Sequence, residues 1–163
     1  SGGGPEDVVE LTVELAREML TLAGVTDVDP RQNLANGKAL DVWRKMIKAQ
    51  GGDPDAALPK ADNWHVIRAA ESGYVSELEA LGIGVASWRL GAGRERKEDA
   101  VQFGAGIELH AQIGDKVNAG DPVMTLYTET PERFERAISL AEEAVGIQDQ
   151  KPAERKLILG KVS

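Results

Sequence analysis

The sequence predicts an α+β protein in which helices come first and short strands follow, with two further helices among the strands. Three observations carry this. Apolar residues recur at spacings of three and four up to Ile47, β-branched and aromatic residues alternate in short runs from Trp64, and Gly51-Gly52-Asp53-Pro54 separates the two patterns. The boundary is expected there, giving a helical piece over residues 1–54 and an α+β domain over residues 55–163.

The first helix starts at Gly4-Pro5-Glu6-Asp7, where a proline and two carboxylates suit the positive end of the helix dipole. Val8, Leu11, Leu15, Met19 and Leu22 are then expected to form one stripe facing a core, with Gly24 closing the helix. Asp29-Pro30 caps a second, short helix that Gly37 ends, and Ala39, Val42, Trp43, Met46 and Ile47 mark one face of a third. Nothing in these residues supplies a strand, so the apolar faces call for a cover from outside the stretch.

Residues 55–63 are a polar connector with the look of a linker. Residues 64–70 and 73–78 alternate around Glu71-Ser72-Gly73, which predicts a hairpin. Ala80 to Leu90 reads as a helix in which Gly82 and Gly84 point to close approach by another backbone, because a helical glycine otherwise costs about 1 kcal/mol against alanine. Ile107 and Leu109 alternate inward, and Ile113 to Leu126 predicts a second hairpin with turns at Gly114-Asp115 and Gly120-Asp121-Pro122. Thr130-Pro131-Glu132 opens a last helix with Phe134, Ala137, Ile138, Ala141 and Val145 on one face, ending at Gly146; Leu157-Ile158-Leu159 is an expected edge strand.

Composition narrows the function classes. The 163 residues suffice for one small domain and part of a second. A formal net charge of −8 argues against nucleic acid as partner, because polyanion binding draws on clustered Lys and Arg. The absence of cysteine removes disulfides, thiolate zinc sites and cysteine nucleophiles, and agrees with a cytoplasmic setting. No apolar run approaches the ~18 residues of a membrane helix, so no membrane partner is expected. Ser1-Gly2-Gly3-Gly4-Pro5 has no signal-peptide character and looks like a cut inside a longer chain.

Few residues carry chemistry. His65 and His110 are expected to be surface or satisfied core histidines. Glu6, Glu10, Glu14 and Glu18 line one helix face at a spacing where like charges repel, a wet face and not a metal site. Gly91-Ala92-Gly93 follows a helix and lacks the Lys-Ser/Thr of a phosphate loop. Its sharper reading is a flexible joint carrying the mixed charges of residues 94–99, a loop that locks against another domain through Gly91, Gly93, Arg94, Lys97 and Asp99; the plainer reading is a solvated turn. No metal, cofactor, catalytic or substrate-binding residue is expected in the chain. The segment from Gly114 to Leu126 resembles the half-barrel of biotinyl and lipoyl carrier domains, which leaves a non-enzymatic interaction or carrier-like module as an alternative, without a Met-Lys pair to bear the cofactor.

In order along the chain stand Met46-Ile-Lys-Ala-Gln-Gly-Gly-Asp53, Leu58-Pro-Lys-Ala61, Ser72-Gly-Tyr-Val75, Leu90-Gly-Ala-Gly-Arg94, Lys97-Glu-Asp99 and Ile113-Gly-Asp-Lys-Val-Asn-Ala-Gly120, with Glu18-Met-Leu20 and Asn36-Gly-Lys-Ala39 upstream. Together they resemble the C-terminal portion of the thymidine and pyrimidine-nucleoside phosphorylase family. The resemblance implies that residues up to about 50 are trailing helices of an α/β domain and that the rest is the family's C-terminal α+β module. It further implies a homodimeric, cytoplasmic enzyme of pyrimidine salvage that splits thymidine with phosphate. The family's phosphate- and base-binding residues belong to segments preceding Ser1, so the chain alone is expected to be inactive, its partners being the missing N-terminal part, phosphate and the nucleoside.

Overall fold

In the computed structural model, which describes residues 3–94, 96–154 and 156–161, contacts divide the chain into Ser1–Ala57 with Arg155–Ser163, and Leu58–Glu154.

The first unit is helical: α1 (Glu6–Leu22), α2 (Pro30–Ala35) and α3 (Lys38–Ala49). The start signals act as read. Glu6 and Asp7 occupy the first turn of α1, and the Asp29 carboxylate accepts a 3.0 Å hydrogen bond from the Arg31 amide at the head of α2. The face that α1 buries differs from the expected one. Val13 is fully buried, with Val9, Ala16 and Leu20 half-buried beside it, whereas Val8, Leu11, Leu15, Met19 and Leu22 are exposed, Leu22 to 88%. The helix is apolar on two faces and this unit contacts only one of them. The exposed stripe has the right period but nothing here to pack against. On α3, likewise, Ala39 and Ile47 are half-buried while Val42, Trp43 and Met46 face outward. The edge strand expected at Leu157-Ile158-Leu159 does not form; those residues lack regular structure in a unit without a strand to pair with, and Lys161 instead forms an ion pair with Glu18.

The second unit is α+β. β1 (Asn63–Arg68), β5 (Pro122–Thr128) and β3 (Gly106–Leu109) make one antiparallel sheet in the order β1-β5-β3; β4 (Lys116–Val117), β2 (Gly73–Leu78) and β6 (Val145–Gln148) make another in the order β4-β2-β6. Neither expected hairpin exists. The two bent segments pair with each other: Asn63 lies opposite Thr128, Arg68 opposite Pro122, Gly73 opposite Val117 and Tyr74 opposite Lys116. At the bend the Ala69 amide donates to Asp121 O, the Gly120 amide to Ala69 O, each at 2.8 Å, and the Ser72 hydroxyl accepts from the Ala119 amide at 2.9 Å. The turn residues are where the sequence puts them, with Asp115 and Asp121 carboxylates each accepting from the amide three residues back at 2.8 Å. Local turn chemistry is satisfied by this mutual pairing as well as by self-pairing, and the mutual ladder is longer.

The core gathers Ile67, Val75, Val117, Val123, Met124 and Leu126 from both sheets and Leu90 from the turn after α4 (Ala80–Ser87), closed by α4 and α5 (Phe134–Glu143) through Ala86, Ala137 and Ala141. Val145, expected on the last helix, begins β6. Neither helical glycine is approached tightly by another backbone: a Cβ on Gly82 would sit 3.0 Å from Glu79 Oε2 and 3.2 Å from Ala144 Cβ, both side-chain atoms, with Leu140 O at 3.7 Å, while Gly84 has nothing within 4 Å.

Candidate functional site

The Glu79 carboxylate caps α4 by accepting from the Leu81 and Gly82 amides. After Ser87 the helix widens into a five-residue turn, Trp88–Ala92, in which Gly91 takes φ +112°, a conformation that favours glycine. Two arginines tie this turn to the start of α5: Arg89 donates to Arg136 O at 3.1 Å, and Arg133 donates to Arg89 O at 3.2 Å.

From that base rises the charged loop. Gly93 lies under the Trp88 indole, where a Cβ would come within 2.5 Å of Cδ1, and Trp88 Nε1 donates to Arg94 O at 3.0 Å. Arg94, Lys97 and Asp99 are exposed. Asp99 folds back on Arg96, its carboxylate accepting from the Arg96 amide at 2.8 Å and its own amide donating to Arg96 O at 3.1 Å. Glu95 lies outside the described residues. Of the five residues singled out from sequence, Gly91 and Gly93 are packed within the stalk, and Arg94, Lys97 and Asp99 sit at or beyond its end.

Sequence reasoning missed the residues that hold the stalk. Gln102 donates from its backbone to Gly91 O at 2.9 Å, and from Nε2 to the Thr130 hydroxyl at 2.7 Å. Its Oε1 accepts from the Glu129 amide at 2.9 Å and lies 3.0 Å from the Thr128 hydroxyl. That hydroxyl, fully buried, also lies 2.7 Å from Leu90 O, its shortest acceptor. Glutamine and threonine so far apart in sequence give no spacing signal.

The remaining candidates fall to structural roles. His65 is half-buried, its ring centroid 6.0 Å from that of Phe134. His110 Nε2 lies 2.6 Å from the buried Thr125 hydroxyl. On the same sheet Tyr127 donates to the Glu108 carboxylate at 2.9 Å, and that hydrogen bond, with some burial and the carboxylate's charge, raises the phenol above its ordinary range. In the acidic row of α1, Glu14 pairs with Arg17 and Glu18 with Lys161; among the described residues no acidic or histidine cluster could hold a metal. No helix among them is long and apolar enough to cross a membrane. The carrier-like hairpin is absent, since β4 and β5 belong to different sheets. The helical unit holds a cleft of about 370 Å³ lined by Val13, Ala16, Met19, Leu20, Val28 and Leu34 among others; walls so apolar lack the convergent polar groups that orient a substrate.

A family profile for the pyrimidine nucleoside phosphorylase C-terminal domain matches residues 74–148, from β2 through β6 and including the charged loop. The thymidine phosphorylase of Mycobacterium tuberculosis is 44% identical over 162 residues, covering 99% of this chain and 38% of that protein. The pyrimidine-nucleoside phosphorylase of Bacillus subtilis is 42% identical over 77% of the chain and 32% of its own length. An AMP phosphorylase of Pyrococcus furiosus is 36% identical over 86% of the chain and 28% of its own length. The chain thus spans less than two-fifths of each of these relatives.

Proposed function

The chain belongs to the pyrimidine-nucleoside phosphorylase family, whose C-terminal domain it carries, and we propose that it serves a longer phosphorylase as the part that positions and closes the active site. The reaction is the reversible phosphorolysis of thymidine or a related pyrimidine nucleoside. The glycosidic C–N bond of thymidine breaks with its electron pair leaving on N1 of the base, a hydrogen-phosphate oxygen bonds to sugar C1, and the proton that phosphate gives up ends on N1, giving thymine and 2-deoxy-α-D-ribose 1-phosphate. Holding the reactants in line and stabilising charge on the departing base and the sugar lower the barrier without a covalent enzyme intermediate.

The observation that carries this reading is identity over nearly the whole chain to a thymidine phosphorylase, at 44%. Two features support the division of labour. Among the described residues no group of acidic or histidine side chains could hold a metal, which fits chemistry supplied by the preceding part of the polypeptide. The uncontacted apolar stripes of α1 and α3 fit trailing helices of an α/β domain that the same preceding part covers. The relatives named for thymidine, pyrimidine nucleosides and AMP share this region, which fits a role common to phosphorolysis and not selection of the base. Homodimerisation, pyrimidine salvage and a cytoplasmic setting belong to the same proposal.

Arg94, Lys97 and Asp99 are assigned to contacts across the closing cleft. The test joins this chain behind the preceding part of the Mycobacterium tuberculosis relative and replaces Arg94 with Ala. The Michaelis constant for phosphate or nucleoside rises, or turnover slows, with the melting temperature unchanged; kinetics identical to the parent would remove the loop from the mechanism.

A further inference from the structure

The charged loop leaves the α+β unit at Gly91 and returns at Gln102, and one side chain holds both ends. The Gln102 amide packs against Gly91, where a Cβ would come within 2.8 Å of Cδ and 2.9 Å of Oε1. The backbone of Gln102 donates to Gly91 O, Nε2 to Thr130 and Oε1 accepts from the Glu129 amide, so the loop's entry, its exit and the end of β5 meet on a single glutamine. Thr128 adds a second tie by lying within hydrogen-bond distance of both Leu90 O and Gln102 Oε1. Glycine at position 91 does two things: it takes the positive φ and it leaves room for the amide.

We infer that Gln102 is a positioning residue, a latch that presents Arg94, Lys97 and Asp99 on a fixed stalk. The geometry explains why both faces of the amide are used. Nε2 donates to the Thr130 hydroxyl while Oε1 accepts from the Glu129 amide, so one side chain spends both its donor and its acceptor on the end of β5. Its consequence for catalysis rests on the proposed function above; the latch itself does not.

The test uses the 163-residue chain and reads the loop directly. Trypsin cleavage after Arg94, Arg96 and Lys97 is timed against cleavage after Arg68 and Arg136 in regular elements, and amide exchange is followed at Gln102 and Asp99. Gln102→Ala accelerates loop cleavage and exchange at least tenfold while the reference sites keep their rates. Gln102→Leu keeps most of the side chain's bulk and loses both hydrogen-bonding groups, so it accelerates loop cleavage and exchange as Gln102→Ala does, which separates the hydrogen bonds from packing. Unchanged loop rates in Gln102→Ala, equal acceleration at every site, or parent-like loop rates in Gln102→Leu would each overturn the latch. Kinetics of Gln102→Ala in the joined polypeptide separate the two ideas: loosened exchange with unaltered kinetics leaves the latch standing and counts against the loop's role in closure.

Discussion

Replacing Thr128 with Val tests how much the stalk depends on one buried hydroxyl. The substitution preserves shape, so packing among Leu90, Leu126 and Met124 is kept, but Leu90 O loses a partner at 2.7 Å and the Thr130 amide one at 3.2 Å. An unpaired buried polar group costs roughly 1–3 kcal/mol, and the Thr130 amide, only partly buried, sits at the low end, which sets the total at roughly 2–4 kcal/mol. For a domain of this size each kcal/mol moves the melting temperature by about 4–8 °C, so a fall of about 10 °C or more is expected in thermal unfolding followed by circular dichroism. Thr128→Ser keeps the hydroxyl and gives up one buried methyl, about 1 kcal/mol, so it melts well above Thr128→Val. A valine variant within ~0.5 kcal/mol of the parent would refute the reasoning, since surface-like tolerance at a fully buried site means that the hydroxyl ties nothing together.

Gly84→Ala, in an open helical position, stabilises the α+β unit by up to about 1 kcal/mol, whereas Gly82→Ala, facing Ala144 at 3.2 Å, gains less or loses; equal gains in urea melts would contradict the close approach. Tyr127 ionises above the ordinary 10.0, so it contributes stability at pH values below the unfolded phenol's pKa and loses it as pH rises through the folded one. In an absorbance titration Tyr127→Phe deletes a tyrosine step lying above 10.0; deletion of a step at or below 10.0 reverses the assignment. Leu15→Glu, at a 57% exposed site, changes the stability of the isolated chain by less than ~0.5 kcal/mol, yet destabilises the joined polypeptide by about 2 kcal/mol or more, because there a charge enters a covered apolar face. Equal effects in the two settings, read by denaturant midpoints, would show that the stripe stays wet.

What the sequence revealed and what it hid follow from the range of the interactions involved. Caps, turn aspartates and the Gly-Gly-Asp-Pro break act within four residues, and Asp29, Asp115, Asp121 and Glu79 act where local chemistry puts them. Strand partners are non-local. The runs at 63–78 and 112–128 carry hairpin turns, yet Ala69 and Gly120 bond to each other and send both segments into mutual pairing. The period of α1 identified a real apolar stripe but not which of two stripes this unit buries, because Val9, Val13, Ala16 and Leu20 repeat at the same spacing. In the candidate site, the glycines and charges of the loop were visible as a pattern. Gln102, Thr128 and Thr130 were not, since a polar side chain satisfied across 28 residues leaves no trace in composition or period.

The central claim is that this chain positions a phosphorylase site and performs none of its bond-making. Incubating the purified chain with thymidine and phosphate and following free thymine by its ultraviolet absorbance tests it most directly. The account predicts no thymine above a heat-denatured control, with release appearing once the preceding part of the Mycobacterium tuberculosis relative is joined ahead of it. Sustained thymine release by the chain alone, in proportion to its concentration, would contradict the account.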